Sequence, residues 1–471
     1  MTHTRSLCLV VLSAASLFLG GTEKAFSENG LILASSYPSL QAAIDANPGK
    51  MIMVPPGDYE LSQSLLIDKE GTGLYGYGRI IQTNPETTII RIDGTSRVRI
   101  EGLTLTRPEG KMDSTQEGIV AVGSKNVEMV DLKVIDHRSK AGAIVLRDSE
   151  DCTIRGCLVE NYKTITVDDR TDDPRSGYAF KCIDGTGIIV RYSNGTLIEG
   201  NRIVDKTFLP TRENKEKYHL GEVTIMPKEP GPFTPRDLFE TRYTNNWHQG
   251  SGILVTGLGD SHHTILNGNY IENPAQGIDI HSDYITVTNN IIRNSMIGMK
   301  AMHGSRHVLI SNNQFNRVDL WGILLMPGAG SHAAEAAREG QEARAANTDG
   351  GTIVTNNIIT EFGFGDQYWN WEGRGNHTCN AISLQGGQLP ENPPLRDVLI
   401  QGNVVYDNGR DKVIVDGKPE VVPPRFRYAI WVEREKQPIP ENILIQGNLF
   451  HRGSEGFSNI DLDASNRLTE Q

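Results

Sequence analysis

An asparagine that returns at solenoid-like intervals constrains this chain more than any other feature. The motif is a turn residue, then Asn, then two mostly apolar residues. It stands as Gly200-Asn201-Arg202-Ile203, Gly268-Asn269-Tyr270-Ile271, Asn289-Asn290-Ile291-Ile292 and Asn312-Asn313-Gln314-Phe315. It returns as Asn356-Asn357-Ile358-Ile359, Gly402-Asn403-Val404-Val405 and Gly447-Asn448-Leu449-Phe450. Leu103, Leu132 and Cys157 hold the equivalent place earlier. From Leu103 the successive intervals are 29, 25, 44, 68, 21, 23, 44, 46 and 45 residues. The shortest suit one coil of a parallel β-helix. The longer ones are a coil plus an excursion, or two coils with one poorly matched.

Stacking explains the motif. Each coil supplies short strands that pair with the coils on either side, because no coil can close a core alone. An Asn at the same inward bend of every coil bonds its neighbours and satisfies polar groups that a tight turn would otherwise strand. Scattered surface asparagines would not share the same apolar follow-on. Leucine-rich repeats fit less well, because a regular helix per repeat is missing.

At the start, Ser39-Leu40-Gln41-Ala42-Ala43-Ile44-Asp45-Ala46 reads as a short amphipathic helix capped by Ser39. It is placed to cover the first coil's open edge. Together with Tyr37-Pro38 and the following Val54-Pro55-Pro56-Gly57-Asp58-Tyr59, this stretch resembles the beginning of pectate-lyase-like β-helix proteins. So does Leu74-Tyr75-Gly76-Tyr77-Gly78 leading to Thr88-Ile89-Ile90. The resemblance implies a right-handed parallel β-helix over nearly the whole chain after residue 27. That superfamily holds polysaccharide lyases, glycoside hydrolases, uronate epimerases, esterases and noncatalytic adhesins, so fold alone does not select an activity.

The chain has 471 residues and a formal charge of -12. That balance argues against nonspecific nucleic-acid binding, yet a local basic patch can still meet an acidic polymer. Residues 1–27 read as a cleavable export signal, with Arg5, an apolar stretch from Leu7 to Leu19, and Ala25-Phe26-Ser27 at cleavage-site spacing. A secreted or periplasmic protein is expected, with residues 28–471 as one domain. No later apolar run approaches the roughly 20 residues a membrane helix needs. Cys152, Cys157, Cys182 and Cys379 form no metal-ligand motif and read as buried thiols.

The repeat also sets which side chains face outward. The strand before each turn opens with Gly or Ala and an apolar residue, so the middle residue points inward and the third outward. The aligned set is Gly118-Ile119-Val120, Ala143-Ile144-Val145, Ala179-Phe180-Lys181, Gly252-Ile253-Leu254, Gly277-Ile278-Asp279, Gly298-Met299-Lys300, Gly322-Ile323-Leu324, Ala381-Ile382-Ser383 and Ala429-Ile430-Trp431. Two residues further along lie Arg147, His281, Met302, Met326 and Glu433, with His303 at a strand end. Asp279, His281 and Lys300 therefore meet on adjacent coils, about 4.8 Å apart.

These are residue types for β-elimination on a uronate polymer. A base removes the proton beside the carboxylate while a cation opposes the growing negative charge. Lys300 is read as base or carboxylate neutraliser, His281 as the alternative base, and Asp279 as the group that orients them or holds a divalent ion. Lys181, Arg147, His248 and His303 are read as substrate contacts, with Glu433 beside them. An ion pair within the scaffold is the plain alternative for Asp279 and Lys300. An inverting hydrolase needs a second carboxylate about 6.5–9.5 Å away. Asp168, Asp169, Glu222 and Asp366 are the available ones; a uronate epimerase or a noncatalytic binding protein also fits.

Three excursions, near 204–247, 329–350 and 362–378, are expected to wall this face. The Ala/Glu/Arg-rich run from Ser331 to Asn347 reads as one short helix. Tyr368, Trp369 and Trp371 offer aromatic faces to sugar rings, and Trp431 adds another from the coil itself. The run Asp168-Asp169-Arg170-Thr171-Asp172-Asp173 carries hard oxygen ligands of the kind Ca2+ takes, without a calcium-loop spacing.

Overall fold

The computed structural model describes residues 30–169, 179–209, 211–222, 242, 248–257, 261–338, 340–362, 379–407, 413–415, 418–420, 424 and 426–469. Short apolar-alternating runs become coil strands, mostly of two to six residues but 12 at Ile291–Met302 and 13 at Gln314–Met326, and they pair in parallel with the equivalent strands one coil away. One parallel sheet stacks thirteen of them, from Ile32–Leu33 to Glu441–Gln446. The remaining coil strands join in a 22-stranded sheet. Ile100, Met129, Ile154, Ile198, Leu266, Val287 and Ile310 are fully or almost fully buried in one continuous core along the stack. The helix Leu40–Ala46 caps the first coil. The Ser39 side chain accepts from Ala42 N, and Leu40, Ala43 and Ile44 are buried.

The Asn bend behaves as its sequence demands. Asn201, Asn269, Asn290, Asn313, Asn357, Asn403 and Asn448 each pass a side-chain amide to the next member's Oδ1 at 2.9–3.0 Å. The last acceptor is Asn466, an eighth member that the repeat pattern did not include. Each Oδ1 also accepts the previous Asn's backbone N–H. Cys157 N joins the same line by donating to Asn201. The residue before each of the first seven asparagines has positive φ, from 55° at Asn356 to 68° at Gly402. Gly adopts that conformation most readily, followed by Asn and Asp, and the motif opens on Gly or Asn accordingly, with Asp131 at the equivalent place before Leu132. Because Asn201 bonds Asn269 directly, the 68-residue interval is one coil plus an excursion.

A second ladder, of serines, runs along another turn. Ser124 N donates to Ser149 Oγ, Ser149 N to Ser193 Oγ and Ser193 N to Ser261 Oγ. Cys152, Cys157 and Cys379 are buried and form no disulfide. No described helix is long and apolar enough to cross a membrane.

Two sequence expectations are corrected here. Residues 331–338 and 340–347 do not form a helix; they pair antiparallel, bridged at His332 with Asn347, Glu335 with Arg344 and Arg338 with Gln341. A 17-residue helix would separate its ends by about 25 Å, but Ser331 Oγ donates to Asp349 at 2.5 Å. Closure of the excursion overrides helix propensity. Lys181 does not occupy a coil rung. It lies on Ala179–Asp184, which pairs antiparallel with Thr164–Asp169 as a separate hairpin. The rung belongs to Gly187-Ile188-Ile189, with Ile188 opposite Ile144 and Ile253.

Candidate functional site

With that rung replaced, the register holds along the stack. Val120, Val145, Ile189, Leu254, Asp279, Lys300, Leu324, Ser383 and Trp431 form one column of outward residues. Their inward neighbours Ile119, Ile144, Ile188, Ile253, Ile278, Met299, Ile323, Ile382 and Ile430 all lie in the core. The column begins apolar, since Val120, Val145 and Ile189 form their own small cluster outside the core. It turns polar at Asp279.

There, strands Gln276–His281 and Ile291–Met302 bring three ionisable groups together. Lys300 Nζ lies 3.2 Å from Asp279 Oδ2, and His281 Nε2 lies 2.8 Å from Asp279 Oδ1. Their side chains are 15%, 8% and 16% exposed for Lys300, Asp279 and His281 respectively, so the pairs are screened little by water. Burial alone pushes the Asp279 carboxyl up, but His281 and Lys300 outweigh it and hold the group well below the usual carboxylate range. The His281–Asp279 approach is close but lacks hydrogen-bond direction. Asp279 Oδ1 and His281 Nε2 are both buried without a hydrogen-bond partner. Most buried polar atoms in a folded protein have one.

His303 completes the group. Its ring meets His281 edge-on, with centroids 4.5 Å apart and planes at 89°. Burial, assisted by His281 and Lys300, pulls its pKa down to about 3. Its Nδ1 accepts from Gly330 N at 3.2 Å, and its backbone oxygen accepts from Asn347 Nδ2 at 2.8 Å. The cluster is thereby tied to the base of the antiparallel pair formed by 331–338 and 340–347. Asp349 secures the same base by accepting from Gly304 N, Ser305 N and Ser331 Oγ.

Sequence reasoning missed Thr256. It pairs in register with His281, and its Oγ1 lies 3.3 Å from His281 Nδ1. The signal was present: Thr256 stands four residues after Gly252, as His281 stands four after Gly277.

The other expected contacts are placed elsewhere or already engaged. His248 is 1% exposed and lies 3.2 Å from Lys163 Nζ, in a buried cluster rather than on the outward face. Burial there pulls Lys163 down to about 8, with Asp205 opposing. Arg147 is paired with Glu117. Glu433 Oε1 accepts the backbone N–H groups of Arg434, Glu435 and Lys436, which makes it a turn organiser. Trp431 is partly exposed and stands opposite Ser383. Tyr368, Trp369, Trp371, Asp172 and Asp173 lie outside the described residues, as does Asp366. Asp168 and Asp169 end the strand Thr164–Asp169. Among the described residues, no group of three His, Cys, Asp or Glu side chains is arranged to hold a metal.

Comparison with known proteins supports the architecture. Residues 241–470 match the family model described as "Right handed beta helix region". The Dettilon tailspike protein aligns over 93% of this chain and 67% of its own, at 12% identity and a TM-score of 0.51. A mutant tailspike of E. coli bacteriophage HK620, in complex with a pentasaccharide, aligns over 91% of this chain and 62% of its own, at 12% identity and a TM-score of 0.48. The catalytic unit of a GH87 α-1,3-glucanase from Streptomyces thermodiastaticus aligns over 93% and 71%, at 13% identity and 0.45. No curated protein gave a significant sequence match. The chain has the right-handed parallel β-helix fold.

Proposed function

We propose that the protein is an exported polysaccharide lyase that cleaves a uronate-containing polymer by β-elimination. The observation that carries this reading is the ionised Asp279 held between His281 and Lys300 on one outward wall. Lys300 supplies the cation that opposes charge growing on the substrate carboxylate. His281 supplies the base for the neighbouring carbon-bound proton. Asp279 orients both. Asp279, held ionised, cannot be the general acid of a glycosidase, so hydrolysis here would require another carboxyl as the acid.

The second reading is noncatalytic carbohydrate binding, with Asp279 and Lys300 as a scaffold ion pair. Their mutual pairing and low exposure favour it. A panel of uronate polymers, followed by ultraviolet absorbance and product mass, separates the two. Elimination gives shorter chains with an unsaturated end. Saturated reducing ends would mean hydrolysis, and unchanged length with retention on the polymer would mean binding. The change Lys300→Ala is expected to lower kcat/KM by about 100-fold or more; unchanged efficiency would remove Lys300 from the mechanism.

A further inference from the structure

Which atom receives the substrate's proton follows from the two sides of the His281 ring. Asp279 Oδ1 lies 2.8 Å from Nε2. Although the contact is not aligned as a hydrogen bond, an anionic oxygen this close to Nε2 favours the positive end of an N–H there over a lone pair. The ring proton therefore belongs on Nε2, and Nδ1 is the basic atom. The group next to Nδ1 is the Thr256 hydroxyl, at 3.3 Å on the preceding coil. A hydroxyl both donates and accepts, so it bonds Nδ1 and keeps oxygen lone pairs for a second partner. His303 offers no competing route through Nδ1, because that atom accepts from Gly330 N.

We propose that Thr256 relays the substrate's proton to His281, a role that rests on the elimination reading. The threonine oxygen takes the proton from the carbon beside the substrate carboxylate as its own proton passes to His281 Nδ1. The C–H electron pair becomes the new C=C bond. The glycosidic C–O bond breaks, and the leaving oxygen keeps its bonding pair. The imidazolium then returns a proton through Thr256 or solvent to that oxygen. The net change is one proton moved from carbon to oxygen, with no oxidant or reductant. Thr256 is thus a catalytic residue, and Asp279 is a positioning residue that sets the tautomer.

The test uses the full chain labelled with 15N-histidine, with His281→Gln to assign the ring signals. Wild type is expected to show Nε2 protonated and Nδ1 shifted by a hydrogen bond. Thr256→Val, nearly the same shape, is expected to lose that shift, and Thr256→Ser to restore it. A proton on Nδ1 in wild type, or a shift untouched in Thr256→Val, overturns the relay. On polygalacturonate and alginate, Thr256→Val is expected to lower kcat about 100-fold with KM nearly unchanged, and Thr256→Ser to recover most of it. Full kcat in Thr256→Val overturns the relay while leaving elimination intact. No unsaturated product from wild type, with the nitrogen shift present, sinks elimination and proton transfer together but leaves the Thr256–His281 bond established.

Discussion

Two polar arrays share the same coils and are built to opposite rules. Inside, Asn201 to Asn466 form a buried line in which every Oδ1 from Asn269 onward accepts two hydrogen bonds from the member before it. The side-chain amides also reach backbone carbonyls, as Asn313 Nδ2 reaches Val287 O. Outside, Asp279, His281 and Lys300 are nearly as buried, yet Asp279 Oδ1 and His281 Nε2 have no hydrogen-bond partner. Unsatisfied buried polar atoms are costly. The Asn line satisfies such atoms where it holds coils together. Thr196 Oγ1, Thr264 Oγ1 and Ser282 Oγ also lack a partner, but among the described residues Asp279 Oδ1 is the one carboxylate oxygen left so, and that charge points to chemistry on the outward wall.

The largest expected effect breaks the inner array. Asn313→Ala removes the acceptor for Asn290 N and Nδ2 and the donor to Val287 O and Asn357 Oδ1. Several buried groups lose partners at about 1–3 kcal/mol each, so a loss of about 4 kcal/mol is expected. Urea unfolding should show a lower midpoint at unchanged slope. A loss below about 1 kcal/mol would erase the contrast between the arrays.

Next is Lys300→Met. It strands part of the Asp279 charge while His281 remains beside it, and about 3 kcal/mol should be lost. The same unfolding experiment checks this. A neutral result would mean that water reaches Asp279 freely.

The smallest effect is a pH slope. His303 titrates near 3 in the fold, chiefly through burial, against about 6.5 unfolded. Between those values the unfolded chain binds a proton that the folded one refuses. Its contribution is therefore constant above about pH 6.5 and falls as pH drops toward 3. Asp279, held low, contributes fully above about pH 3.9 and loses that only on further acidification. His303→Gln should flatten stability between pH 6.5 and 4. Equal slopes in both proteins would show that other buried groups set the window: His137, held near 3 by burial and Arg107, His248, held well below its ordinary value by burial and Lys163, and Asp349, pushed up to about 7 by burial.

Much of this was legible because a solenoid turns sequence spacing into spatial position. The Asn bends and the Gly- or Ala-opened strands by themselves place Asp279, His281 and Lys300 together. Failures came where local pattern meets closure. Ala179-Phe180-Lys181 imitates a rung opening, but its strand pairs back on Thr164–Asp169. The Ala/Glu/Arg run favours helix, but its ends must meet. His248 reads as an exposed coil residue, yet it packs against Lys163, 85 positions away in sequence. Asn466 follows only 18 residues after Asn448, too close for the coil period, and so escaped the count.

The contrast between a satisfied interior and an unsatisfied wall is tested most directly in one double variant, Asp279→Asn with Lys300→Met. Removing both charges together leaves neither buried alone, so the unfolding midpoint should stay level or rise. Unsaturated product on a polymer that wild type cleaves should fall about 100-fold or more. A variant that unfolds as early as Asn313→Ala, or that cleaves as well as wild type, would show these charges to be part of the scaffold.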